Sequence, residues 1–214
     1  MWSGPRNLST AMMRSFAARG DCHVSDEPFY GAYLHHTGDD HPMADAVIAD
    51  MDCDWHSVTA ALFGPCAQPI WYQKHMTHHM LPDFGIDWMR QCRNAFLIRD
   101  PVRVLASYTQ KREDVTLADI GFVQQAEIFA READHLGHAP PVIEGVDVLR
   151  DPAAKIAKLC AALDIPWTPS MLSWPAGPRA TDGVWAPAWY DAVERSTGFG
   201  TPPDETAITL APHL

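Results

Sequence analysis

The chain has 214 residues, 47% of them hydrophobic and 20% charged, with a formal net charge of −11. This composition predicts a single folded domain over 1–214 with a sizeable core, and it excludes a disordered chain. The acidic balance argues against nonspecific nucleic-acid binding and against an anionic membrane surface, but not against a small anionic ligand, which needs only a few local arginines.

The first element is a loop, Ser3-Gly-Pro-Arg-Asn-Leu-Ser-Thr10, running into an apolar-periodic helix predicted over Ser9–Arg19 and stopped by Gly20. The backbone N–H groups of such a loop and of the helix's first turn converge on one spot and attract an anion. The G-x-x-x-x-G-K-[ST] signature of an ATP-binding loop is absent. Only Met1 and Trp2 precede the loop, so its supporting strand is expected to be either a stub or one completed by residues upstream of Met1.

Cys22–Ser25 reads as a short strand that ends in Asp26-Glu-Pro-Phe-Tyr30, and residues 31–52 as a surface excursion. A helix near Trp55–Phe63 stops at Gly64-Pro65, Ile70–Lys74 is a buried strand, and Ala95–Ile98 is a stronger one. Asp100-Pro101 opens a helix with proline in its first turn. Phe122–Leu136 is amphipathic, with Phe122, Ala126, Phe129, Ala130 and Ala133 on its predicted apolar face. Pro141–Glu144 is a last strand, and Asp151-Pro152 opens a helix to about Leu163. Strands alternating with helices predict an α/β fold of three layers, a mostly parallel central sheet flanked by helices. Ligands in that class sit at the carboxyl ends of the strands.

A second anion-binding candidate follows such an end. Arg99 lies where a strand stops and a helix starts, and Ser107 lies two turns further on, so both can meet around one phosphate. The alternative is an ion pair of Arg99 with Asp100 at the helix start.

Together, Pro5-Arg-Asn-Leu-Ser-Thr10 and Ile98-Arg-Asp-Pro…Ser107-Tyr108 resemble the sulfotransferase family, whose donor is 3′-phosphoadenosine 5′-phosphosulfate (PAPS). The closer likeness is to a sulfotransferase-like branch sharing Gly-Pro-Arg-Asn-x-Ser-Thr-Ala-Met-Met-Arg-Ser-Phe, Asp-Glu-Pro-Phe-Tyr and a C-terminal Asp-Gly-x-Trp. The resemblance implies a P-loop fold in which Arg6, Asn7, Leu8, Ser9 and Thr10 hold the phosphosulfate and Arg99 with Ser107 holds the 3′ phosphate. It also implies direct transfer of a sulfuryl group to a hydroxyl or amine of a small-molecule or carbohydrate acceptor. Arg6 replaces the family's loop lysine and takes its role against charge growing on the bridging oxygen. Leu8 stands where the family has glycine. Leucine lacks glycine's conformational freedom, so the loop is expected to take a different local shape.

Transfer also needs a base. Glu27 resembles the glutamate base of carbohydrate-type and bacterial trehalose-type sulfotransferases. His75, in Lys74-His-Met-Thr-His-His79, resembles the Lys-x-His base region of the cytosolic enzymes. Glu27 is preferred, with Lys74 and His75 lining the site and the acceptor entering among Tyr30, His35 and His36. Arg179 is the candidate for a basic C-terminal loop over the 3′ phosphate; Arg14 faces either the ligand or solvent. His75 and His79 share the i, i+4 spacing of zinc helices, but the accompanying glutamate pattern is missing and no metal is expected.

Five widely spaced cysteines without C-x-x-C predict reduced thiols in a cytoplasmic protein, and neither a signal peptide nor a membrane span is apparent. A homo-oligomer stays open. Two rival readings remain: an atypical P-loop kinase or nucleotide hydrolase, and a non-catalytic nucleotide-binding module of degenerate sulfotransferase fold.

Overall fold

The computed structural model describes residues 1–110, 115–203, 208 and 210. Five strands form one parallel sheet: β1 (Trp2–Ser3), β2 (Cys22–Asp26), β3 (Ile70–Met76), β4 (Phe96–Ile98) and β5 (Val142–Glu144), in the order β2-β3-β1-β4-β5. The helices are α1 (Ser9–Ala17), α2 (Tyr30–Thr37), α3 (Ala44–Asp50), α4 (Trp55–Ala61), α5 (Pro101–Tyr108), α6 (Leu117–Ile120), α7 (Phe122–Leu136), α8 (Gly145–Arg150), α9 (Pro152–Ala162), α10 (Ala186–Trp189) and α11 (Asp191–Glu194). Short as it is, β1 lies at the sheet centre, with Trp2 beside both His75 and Phe96. The chain leaves β1 toward β2 on one side and reaches β4 and β5 on the other, so the strand order reverses there, and all five carboxyl ends open on the same edge.

Two apolar layers cover the sheet. On one face Met12, Met13 and Phe16 of α1 pack with Ile156 and Leu159 of α9 against Val24, Tyr72 and Leu97. On the other, Trp2, Phe29, Phe84, Trp88, Phe96 and Ile128 pack together. Burying side chains of this size contributes roughly 1.5–3 kcal/mol each before chain entropy is counted.

Two expectations change. Residues 31–52 are a surface excursion only in part: Tyr33 and Leu34 of α2 and Val47 of α3 are buried with Tyr30 against Trp185 and Tyr190, while residues 35–38 and much of α3 are exposed. Their apolar partner lies about 140 residues away in sequence, so no local pattern announces it. In α7 the buried residues are Gln125, Ile128 and Glu132, while Ala126 and Ala130 are exposed. The helix is turned because its polar residues bond inward. Gln125 Nε2 donates to the Leu97 carbonyl at 3.0 Å, and Glu132 accepts from Asn94 Nδ2 at 2.9 Å. Gly121, between α6 and α7, has φ +65°, and a Cβ there would lie 2.5 Å from Thr77 Oγ1.

His75 and His79 are both fully buried, and burial, together with neighbouring positive charge, holds both imidazoles well below the ordinary histidine value of 6.5. They are neutral in the folded protein, whereas the unfolded chain takes up protons as pH falls through 6.5. The unfolded state then binds more protons, so stability falls with pH by about 1 kcal/mol or more per histidine for each further unit. Urea unfolding at pH 7.5 and 5.5 checks this, with a lower midpoint expected at pH 5.5. No helix among the described residues is long and apolar enough to cross a membrane.

Candidate active site at the carboxyl ends of the strands

A cleft of about 590 Å³ opens along these strand ends. Arg6, Asn7, Leu8, Ser9, Thr10, Glu27, Lys74, Arg99 and Ser107 all line it.

At one end the loop after β1 and the start of α5 meet. Arg6 Nε donates to Ser107 Oγ at 3.0 Å, and Arg99 donates to the Arg6 carbonyl. Both guanidiniums are more than half buried, and burial holds both below the ordinary arginine value; for Arg99 the charge of Arg6 adds to this. Neither forms an ion pair with a carboxylate among the described residues. The Asp100 carboxylate instead caps the N–H groups of Val102 and Arg103, so the alternative of an Arg99–Asp100 pair does not hold. Two cations held together against their own repulsion, next to a helix N-terminus, form a site that favours a polyanion.

Leu8 adopts the left-handed backbone of glycine after all, with φ 62° at the N-cap of α1, and supplies no side-chain cap. The first-turn N–H groups of α1 are therefore left without a capping side chain. Arg6 (φ 57°) and Glu27 (φ 47°) share this conformation. Each such residue stores roughly 1–3 kcal/mol of strain, the kind that functional sites retain. Asn7 is buried, donates to the Leu97 carbonyl at 2.6 Å, and has no hydrogen-bond partner for its Oδ1 among the described residues.

At the other end Lys74 is the hub of a buried network. Its ammonium donates to Asp26 Oδ1 at 2.7 Å, Glu27 Oε1 at 2.6 Å and the Tyr190 hydroxyl at 2.6 Å. An ammonium has three N–H bonds, so Lys74 has none to spare. Burial opposes its charge, but Asp26 and Glu27 outweigh burial and hold its pKa well above the ordinary value. Burial pushes the Glu27 carboxyl up, and Asp26 adds to this, against the pull of Lys74. Among the described residues Glu27 Oε2 accepts no hydrogen bond; His79 Nε2 is 4.0 Å away. Raised in pKa, anchored through one oxygen and open through the other, Glu27 has the form of a general base.

Several expected site residues lie elsewhere. His75 does not line the cleft. Side chains alternate along β3, so with Lys74 toward the network His75 falls on the opposite face, stacked on Trp2 at 4.7 Å with its Nε2 3.2 Å from Gln73 Oε1. Nor do His75 and His79 share a helix face, because β3 gives way to a 3-10 turn at Thr77–His79. Arg179 bonds the Pro175 carbonyl and lies outside the cleft. Arg14 faces neither ligand nor solvent: it forms a buried ion pair with Asp182 at 2.7 Å. His35 and His36 are exposed and outside the cleft.

One residue that sequence reasoning passed over takes its place here. Arg195, exposed after α11, lines the cleft and forms no ion pair among the described residues; its segment carries no motif. His41, His78 and His79 line the acidic end, where His79 stacks on Tyr30 at 4.5 Å and the Tyr30 hydroxyl meets His41 Nδ1 at 2.8 Å. Trp185, Trp189, Tyr108 and Tyr190 complete the wall.

A family model described as "Sulfotransferase domain" matches residues 1–209. Branched-chain-amino-acid aminotransferase-like proteins 2 and 1 of Arabidopsis thaliana are 37% and 38% identical over 202 residues, 94% of this chain. The chain spans only 36% of each of these curated relatives. Among solved structures, the sulfotransferase domain of the Synechococcus PCC 7002 olefin synthase superposes with a TM-score of 0.54 at 17% identity, covering 92% of this chain and 82% of that one. The sulfotransferase domain from the curacin biosynthetic pathway gives 0.46 at 16% identity, covering 94% of this chain and 82% of that one. The first of these likenesses concerns the fold alone.

Proposed function

The chain belongs to the sulfotransferase domain family, and from that premise we propose that it transfers a sulfuryl group from PAPS to a hydroxyl or amine of a small-molecule acceptor. The observation that carries this reading is the pairing of Arg6 and Arg99 with Ser107 at the N-terminus of α1, opposite Glu27 across one cleft. The donor's two phosphate positions suit the two arginines, the Ser107 hydroxyl and the first-turn N–H groups of Ser9 and Thr10. Arg195, which lines the same cleft from the C-terminal segment, is a further cation available to the donor.

Glu27 takes the acceptor's proton as the acceptor oxygen or nitrogen bonds to sulfur and the bond from sulfur to the donor's phosphate oxygen breaks. Arg6 stabilises the charge that grows on that departing oxygen. The acceptor end is walled by Tyr30, His41, His79 and Trp185, and its single lysine is spent on Asp26, Glu27 and Tyr190. These walls suit an acceptor that carries a ring and no negative charge.

Calorimetric titration with 3′-phosphoadenosine 5′-phosphate, the donor product, tests the donor assignment. Saturable binding is expected, weakened at least about tenfold in Arg99→Ala, the loss appropriate to one charge-assisted contact. Failure of the folded protein to bind at millimolar ligand would falsify the assignment, and stronger binding of ATP with magnesium would favour a kinase or hydrolase.

A further inference from the structure

The C-terminal Asp182-Gly-Val-Trp185 motif supplies no reacting group, yet its glycine and tryptophan contact the network around Glu27, while its aspartate ties the segment to α1. The Asp182 carboxylate takes Arg14 Nη2 of α1 at 2.7 Å, with the two side chains 3% and 4% exposed, and also takes the Arg179 N–H at 2.7 Å. The Gly183 N–H points at Asp26 Oδ2 at 3.4 Å. A Cβ on Gly183 would lie 2.1 Å from the Trp185 ring, so only glycine lets the indole fold back over this turn. Trp185 Nε1 then donates to the Tyr190 hydroxyl at 3.1 Å.

That hydroxyl is saturated. It accepts from Trp185 and from Lys74, and donates to Asp26 Oδ2 at 2.6 Å, which uses its one proton and both lone pairs. It thus takes the third N–H of Lys74 while donating to the Asp26 oxygen that Lys74 does not bond, and so limits how much of the ammonium Asp26 draws from Glu27. We propose that Tyr190 is a positioning residue for Glu27: the docked C-terminal segment inserts its hydroxyl as the third partner of Lys74, and this fixes the share of the ammonium that Glu27 receives. The site is complete only with this segment held on α1 through the Asp182–Arg14 pair. The inference rests on Glu27 as base.

The groups facing Glu27 are Lys74 from β3, Asp26 beside it, His79 from the 3-10 turn, Tyr30 from α2 and, through Lys74, Tyr190. Tyr190→Phe keeps the ring and removes the hydroxyl. Asp26 then loses a donor and draws more of Lys74, and Glu27 receives less. Carboxyl-carbon NMR titration of the full chain reads this directly, with the Glu27 resonance assigned as the one lost in Glu27→Gln. The Glu27 midpoint is expected to rise by about one pH unit in Tyr190→Phe. An unmoved midpoint in the folded variant overturns the proposal. If Tyr190→Phe does not fold, Trp185→Phe, which removes the N–H donated to that hydroxyl together with part of the buried indole, is read in its place; a smaller rise supports the proposal and no rise overturns it. The titration needs neither donor nor acceptor, so a shifted Glu27 in a protein that transfers no sulfuryl group would retire the functional reading alone.

Discussion

Replacing Glu27 with glutamine is expected to lower sulfuryl transfer by about 10²–10⁴-fold, the contribution of a well-placed general base, with the affinity for 3′-phosphoadenosine 5′-phosphate unchanged. Glutamine preserves the shape of the side chain and still offers an oxygen to Lys74, whose other bonds, to Asp26 and Tyr190, stay in place. What is lost is the proton acceptor at Oε2. The measurement is turnover with labelled PAPS on the best substrate of a panel of hydroxyl and amine acceptors. In the wild type the rate should climb with pH through a midpoint above the usual carboxylate range, because burial and Asp26 push the Glu27 carboxyl up; the variant should lack that limb. The parallel variant His75→Gln separates the two base candidates. His75 packs between Trp2 and Trp88, behind the sheet edge that carries the site, so its loss is expected in stability and not in the pH profile. Turnover in Glu27→Gln within a few-fold of wild type would remove Glu27 from the mechanism.

The second large effect is on stability. Lys74→Met should destabilise the fold by about 3–5 kcal/mol, because it strands two buried carboxylates without their cation. The side chains of Lys74, Asp26 and Glu27 are 1%, 2% and 11% exposed, so water cannot replace the ammonium. Urea unfolding at pH 7.5 measures the loss. The gap between variant and wild type should narrow as pH falls toward 5, where the stranded Glu27 carboxyl, pushed up by burial and now without its cation, takes up a proton and sheds its charge. Adding Asp26→Asn to Lys74→Met should recover part of the loss, since one uncompensated charge is then removed. A loss below about 1 kcal/mol at pH 7.5, the range of an exposed pair, would mean that the network is solvated and not buried.

The two ends of the cleft were unequally legible before the fold was known. The proposed donor end is local chemistry. A loop that feeds a helix N-terminus presents its N–H groups whatever surrounds it, and the eight residues from Arg99 to Ser107 span a strand end and two turns of one helix. Arg6, Arg99 and Ser107 were therefore readable as one group, and they do meet. Even there the local rule for Leu8 misled. Propensity disfavours leucine at positive φ, but bonds from Arg99 and Asn7 bind the loop to β4 and impose that conformation.

The proposed acceptor end is assembled from segments far apart in sequence, and there only the tertiary structure decides. Lys74 and His75 are adjacent and equally suited to chemistry; the pleat of β3 sends one to the cleft and the other into the core. Arg14 was open to ligand or solvent until Asp182, 168 residues on, claimed it. Tyr190 and Arg195 carry no motif and enter the site only because the C-terminal segment folds back across the strand ends. By itself the sequence determined the α/β order of elements, the anion-binding loop and the carboxylate after the second strand, all of which follow from local periodicity and short-range bonding. The tertiary structure decided which side chains share the cleft, because strand register and long-range packing, which no short window contains, set the direction each one takes.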